Sequence, residues 1–180
     1  MSISTRQFDV EAATAAVAYM ATRLPRLTVH QACKLLYLAE KQHIERYGRL
    51  FLKDDFIAMP YGPVPSRVYD LMKAARGEGR HHQVTQEDVD YFAERLVVHG
   101  NSIAARCEPD LGELSESAIK CLEDVIMRYG DWDFEARTEV SHDAAWQATW
   151  DKWQNGIMSL EDIVHSLPDS AALLAHFSRR

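Results

Sequence analysis

The tract from Lys34-Leu35-Leu36-Tyr37-Leu38-Ala39 to Tyr61-Gly62-Pro63-Val64-Pro65-Ser66-Arg67-Val68-Tyr69 constrains the fold more than any other part of the chain. Its first half belongs to an amphipathic helix opened by a capping box, Thr28-Val29-His30-Gln31, in which the Thr hydroxyl and the Gln side chain each accept from the other's backbone N–H. Leu27 and Ala32 are placed to staple that start. The helix is expected to end at Gly48, with Ala32, Leu35, Leu36, Ala39 and His43 on its buried stripe. The second half cannot continue as helix. Pro63 drives Gly62 out of the helical region, and Pro65 suits the first turn of a new helix carrying Val68, Leu71, Met72 and Ala75. An aromatic turn with little conformational freedom therefore joins two helices.

The flanking segments read as further helices with little sheet. Asp9 can cap a helix with Val10, Ala13, Val17, Met20 and Leu24 on one face, stopped by Pro25. Phe56-Ile57-Ala58-Met59, stopped by Pro60, suits a strand. Thr85-Gln86-Glu87-Asp88 opens a helix carrying Val89, Phe92, Ala93 and Leu96. Leu96 to Ile103 reads as a hairpin expected to extend the sheet begun near Phe56. Ser115 caps a long helix ended by Gly130, with Leu114 stapled to Ile119. Short helices follow over Asp133 to Val140 and Asp143 to Gln154, the latter with Trp146, Trp150 and Trp153 in a row expected to face the core. Ser159 caps a final pair separated by Pro168. No repeat, low-complexity tract or long linker divides the chain. The expected fold is mainly α, one compact helical domain over residues 1–180 with a small antiparallel sheet or hairpin.

A chain of 180 residues can bury roughly 70% of its unfolded surface, enough for one core without disulfide or metal staples. Cys33, Cys107 and Cys121 form no CxxC pair, which fits reduced thiols. The first eight residues lack a basic start followed by an apolar run, and no window approaches the roughly 20 apolar residues that span a bilayer. A cytoplasmic protein with no membrane partner is expected. The net charge of −7 repels phosphate backbones, so nucleic acid is a poor partner and a basic protein a better one. Arg76, Arg80, His81 and His82 could form a local basic patch, but this Gly-flanked run is more simply a solvated loop.

Catalytic motifs are missing. There is no GxSxG elbow and no Cys/His signature. Ser141-His142-Asp143 offers triad residue types, yet adjacent residues point different ways. The pair His81-His82 lacks metal-ligand spacing, and Gly77-Glu78-Gly79 lacks the Lys and helix start of a phosphate loop. No cofactor, metal or enzymatic role is expected. His43 reads as a hydrogen-bonded core histidine, and Glu123-Asp124 as solvated helix-surface carboxylates.

The order and spacing of Lys34-Leu35-Leu36-Tyr37-Leu38-Ala39, Tyr47-Gly48-Arg49-Leu50-Phe51, Phe56-Ile57-Ala58 and Tyr61-Gly62-Pro63-Val64 resemble the Panacea domain of the SocA-like antitoxin family. Weaker similarity continues through Ser141-His142 and Trp146 to Val164, so that the resemblance spans about residues 28–167. Ser141 stands where the family often has Thr. Residues 77–107 carry no family pattern. The resemblance implies a bacterial or phage antitoxin that binds and silences a toxin encoded by a neighbouring gene, often a translation inhibitor. It also implies two alternatives, an adaptor delivering the toxin to a protease and a DNA-binding autoregulator; a homo-oligomer is compatible with it. The residues it marks for partner binding or motif support are Lys34, Tyr37, Tyr61, Gly62, Pro63, Val64, Tyr69, His142 and Trp146. Tyr61, held by its Gly-Pro neighbour, is placed to dock on Lys34 and Tyr37. These residues either pin the turn to the second helix or touch the toxin.

Overall fold

A computed structural model describes residues 8–79 and 83–179. Two helices form the centre. The first, α1 (Val10–Arg23), is capped by Asp9, whose carboxylate accepts from the Ala12 amide at 3.0 Å. Residues 12–20 are buried without interruption, so α1 is enclosed on several sides rather than along the single stripe expected. Its many alanines allow this, because their small side chains let neighbours approach closely. The second, α2 (Val29–Tyr47), begins with both arms of the Thr28/Gln31 capping box and ends at Gly48 in the left-handed region, as the sequence predicts. Gln31 also donates to the Gly130 carbonyl at 2.7 Å, tying the start of α2 to the end of a later helix.

The tract after α2 makes a hairpin. Strands β1 (Phe56–Met59) and β2 (Gly62–Pro65) pair antiparallel, Met59 opposite Gly62, with Pro60 and Tyr61 at the turn. The sequence reading placed Gly62 to Pro65 in a turn, whereas these residues form the second strand. Two prolines are tolerated there because β2 pairs on one side only and lays its other side on α2. Helix α3 (Ser66–Ala75) follows directly and has no side-chain cap of its own, its N-cap being Pro65. The buried Asp54 carboxylate supplies the missing acceptors, taking the amides of Arg67 at 2.9 Å and Val68 at 3.0 Å.

Helix α4 (Gln86–Arg95), capped by the predicted Thr85 box, runs into a second hairpin of β3 (Leu96–His99) and β4 (Ser102–Ala105). This hairpin does not extend the first sheet. The edge of β4 takes the chain just before α2, with Val29 N donating to Asn101 O at 2.9 Å and Ile103 N to Leu27 O at 2.8 Å. The edge of β1 takes residues 155–158, with Ala58 N donating to Gly156 O at 2.9 Å and Met158 N to Phe56 O at 2.8 Å. The outer edges of β1 and β4 are thus each paired with a different distant segment, and the two hairpins stay separate sheets.

Of the remaining helices, α5 (Glu116–Tyr129), α6 (Phe134–Ser141) and α8 (Leu160–His165) pack on α2, α7 (Ala144–Lys152) packs on α8 and β1, and α9 (Ser170–Phe177) packs on α8. Ser115, Asp133, Asp143 and Ser159 each cap the helix they precede. The aromatic row on α7 divides. Trp146 is buried, Trp150 is half-buried and stacks on it at 5.2 Å, and Trp153 is 69% exposed where the helix ends. Among the described residues no helix is long and apolar enough to cross a membrane. All three cysteines are free; Cys33 and Cys121 are buried and Cys107 is exposed.

Candidate functional site: a cross-braced proline-aromatic corner

The β1–β2 turn sits where α2, α6 and α7 converge. Lys34, on the α2 face toward β2, is 1% exposed and donates from Nζ to the Pro63 carbonyl at 2.9 Å. Gly62 beside it has φ +95°, and a Cβ there would lie 2.3 Å from Ser141 Oγ and 3.0 Å from Lys34 Cε. Only glycine permits both that backbone and that approach. Burial pushes the Lys34 ammonium down to about 8, so its proton is held against a desolvation cost. Pro63 and Val64 are buried beneath the corner.

One helical turn along α2, Tyr37 is fully buried, edge-on to Phe56 at 5.2 Å. Its hydroxyl donates to Asp143 at 2.8 Å, and burial together with that carboxylate raises the phenol well above its ordinary range. Asp143 also takes the Lys41 ammonium and the first amides of α7, at Ala145 and Trp146. It is therefore the knot joining α2 to α7, and sequence reasoning missed it as a site residue. Its N-cap position ahead of an aromatic helix was visible, but the Tyr37 partner lies 106 residues away.

The other side of the corner is held by His142 and Trp146. Trp146 Nε1 donates to the Met59 carbonyl at 2.9 Å, and the His142 ring lies flat on the indole at 3.7 Å and 9°. Burial, then the nearby Lys34 charge, lowers the His142 imidazole. Ser141 donates to the Thr138 carbonyl at 2.8 Å while Asp143 faces Tyr37 and Lys41. The three consecutive residues point to separate partners and share no nucleophile–base hydrogen bond.

Tyr61 does not dock on Lys34 and Tyr37 as expected. The hairpin turn throws it outward, 63% exposed, with its ring 5.5 Å from Phe134 at the start of α6. The reason is strand geometry: Gly62 and the buried β2 face inward, and the space over Lys34 is already filled by Ser141 and the Gly62 backbone. Phe134, itself 45% exposed, stacks on His30 at 4.0 Å. His30 Nε2 meets Thr138 Oγ1 at 3.1 Å, and burial, then the charges of Lys34 and Arg137, push its imidazole down to about 4. Tyr69 stands apart on α3, half-buried against the core with Lys73 over its ring at 4.9 Å.

Elsewhere the polar candidates are structural. His43 bridges Arg49 O at 2.7 Å and Ser117 Oγ at 2.9 Å, as a core histidine should. Glu123 accepts from the Tyr19 hydroxyl and Asp124 pairs with Arg46, so these carboxylates tie helices together rather than only facing water. Arg76 is engaged by Glu78 and the Gly100 carbonyl; Arg80, His81 and His82 lie outside the described residues. Among the described residues no three His, Cys, Asp or Glu side chains are grouped so as to hold a metal ion.

Fold and site together define a mainly helical protein organised around a locked β-corner that exposes one aromatic side chain. The family described as antitoxin SocA-like, Panacea domain, matches residues 33–147, and the chain belongs to it. The match begins at Cys33 in α2, ends within α7, and contains the whole corner; it is narrower at both ends than residues 28–167 marked by the motifs. No curated protein and no solved structure matches the chain.

Proposed function

We propose that this chain neutralises a protein toxin encoded beside it by direct binding, silencing it by occupancy and without bond-making. Membership of the SocA-like antitoxin family supports the reading. The observation that carries it to a place on the molecule is Tyr61: a large side chain, 63% exposed, mounted on a turn whose carbonyls are held by Lys34 and Trp146. A pre-positioned aromatic loses little entropy on docking, and such rings dominate interface energetics. The buried residues Lys34, Tyr37, Gly62 and Trp146, with the half-buried His142, then act as its support. The net charge of −7 suits a basic toxin surface, where it raises encounter rate more than affinity.

Co-expression with the adjacent gene product tests this. Growth should be restored and the two proteins should co-purify, and Tyr61→Ala should weaken the complex at least about tenfold while leaving thermal stability nearly unchanged. If the toxin stays lethal and the two do not co-purify, the reading fails. Occupancy alone also predicts that the toxin's half-life does not lengthen when this chain is removed; lengthening would favour delivery to a protease.

A further inference from the structure

Arg137 on α6 is 8% exposed, and its Nε has no hydrogen-bond partner. Its guanidinium takes part in none of the ion pairs among the described residues. The acid acting on it is Asp133, one turn earlier, whose Oδ1 already accepts from the Ala136 amide at 2.8 Å. Lys34 nearby has a carbonyl and no carboxylate as its hydrogen-bond partner. His30 feels both cations, and its ring is neutral at pH 7. A chain with 27 acidic side chains against 20 basic ones has acids to spare, yet this place has none within hydrogen-bonding reach.

Burying a cation without an anion is costly, and folded chains ordinarily pair such groups or leave them in water. A cation kept unpaired beside exposed aromatic rings is poised for another molecule. Phe134 lies on α6 one turn from Arg137. Its ring meets that of Tyr61 at 5.5 Å. Both rings are substantially open to solvent, 45% and 63% exposed. Apolar surface and a guanidinium with an unpartnered Nε thus lie within one turn of α6.

We propose that Tyr61, Phe134 and Arg137 form a docking site for a protein segment carrying a carboxylate next to an aromatic or apolar side chain. The rings take the side chain, and Arg137 takes the carboxylate, the anion for which its planar fork of donors is suited. This deepens the toxin-binding reading and rests on it only for the identity of the partner. The long-range field of the acidic molecule and this short-range contact act on different parts of that partner.

Two measurements on the full chain test it. In the first, N-acetyl-tryptophan, N-acetyl-tryptophanamide and inorganic phosphate are titrated separately while aromatic NMR signals of Tyr61, Phe134 and His30 are followed. The carboxylate compound should shift all three saturably, at least about tenfold more tightly than the amide, and Arg137→Met should abolish that preference. Phosphate alone should cause no saturable shift. Equal affinity for acid and amide, a preference retained in Arg137→Met, or phosphate binding as tight as the acid would each overturn the proposal. In the second, Arg137→Met and Tyr61→Ala are compared with wild type for binding the adjacent gene product. Each should weaken it at least about tenfold, and Arg137→Met should not lower the thermal midpoint, since it removes an unpaired buried charge. A lowered midpoint with unchanged binding would make Arg137 structural and sink the docking site. If wild type binds and Arg137→Met binds equally well, the docking site fails and the toxin reading stands. If wild type does not bind, the toxin reading fails and the small-molecule titration still decides the site.

Discussion

The two hairpins have strands of equal length and two-residue turns, yet they are built into the molecule differently. In β3–β4 the strands alternate between core and solvent, and the turn at Gly100 and Asn101 is exposed. That hairpin is clipped to the chain before α2 by backbone hydrogen bonds, and the Arg76 side chain donates to its tip at Gly100 O. In β1–β2 every residue of the second strand is buried, and charged, aromatic and hydroxyl side chains from α2, α6 and α7 surround the turn. The same local pairing rule thus gives a structural clip where the surroundings are solvent, and a rigid platform where three helices converge. A side chain at the first kind of turn stands in solvent; at the second it stands on a braced base.

The sharpest way to break this contrast is to remove the knot behind the corner. Asp143→Ala takes away the acceptor for Tyr37 and Lys41 and the α7 cap together. It should cost about 2–4 kcal/mol in urea denaturation. Next come matched glycine substitutions. Gly62→Ala meets Ser141 Oγ and has φ +95°, whereas Gly100→Ala has φ +57° and nothing within 4 Å. The first should cost about 2–3 kcal/mol and the second about 1 kcal/mol by thermal melting. Equal losses would mean that the corner is no more constrained than the clip.

Titration sharpens the comparison further. Lys34 falls to about 8 on folding from an ordinary 10.5. Between those values the unfolded chain binds more protons, so this group adds stability as pH rises through the window. Stability of wild type relative to Lys34→Met should therefore increase by about 1–2 kcal/mol from pH 8 towards 10. His30 falls to about 4 from 6.5, so its contribution is full above 6.5 and is lost as pH falls towards 4. Partly open to solvent, it should account for about 1 kcal/mol of acid destabilisation, absent in His30→Gln.

Much of the architecture was legible because it obeys short-range rules. Asp9, Thr28, Thr85, Ser115 and Ser159 all cap the helices expected of them, and Asp133 and Asp143 cap the two short helices expected to start there. The stripe Ala32, Leu35, Leu36, Ala39 and His43 is buried, and Leu96 to Ile103 does form a hairpin. The separation of the two sheets was not legible, because it depends on which distant backbone segment satisfies each free edge. Nor was the split among the α7 tryptophans, where helical spacing gives a common face but not the point at which neighbouring structure stops covering it.

What the sequence determined by itself is where elements begin, end and turn, and which residues share a face, since those outcomes rest on neighbours three or four positions away. Only the tertiary structure decided that Tyr61 points outward, that Asp143 rather than Tyr61 meets Tyr37, and that Arg137 is buried without an ion pair among the described residues. These are contacts, or missing contacts, between residues up to about a hundred positions apart in the chain. Periodicity can say that a side chain faces inward; which group it meets there is set by how the helices close around it.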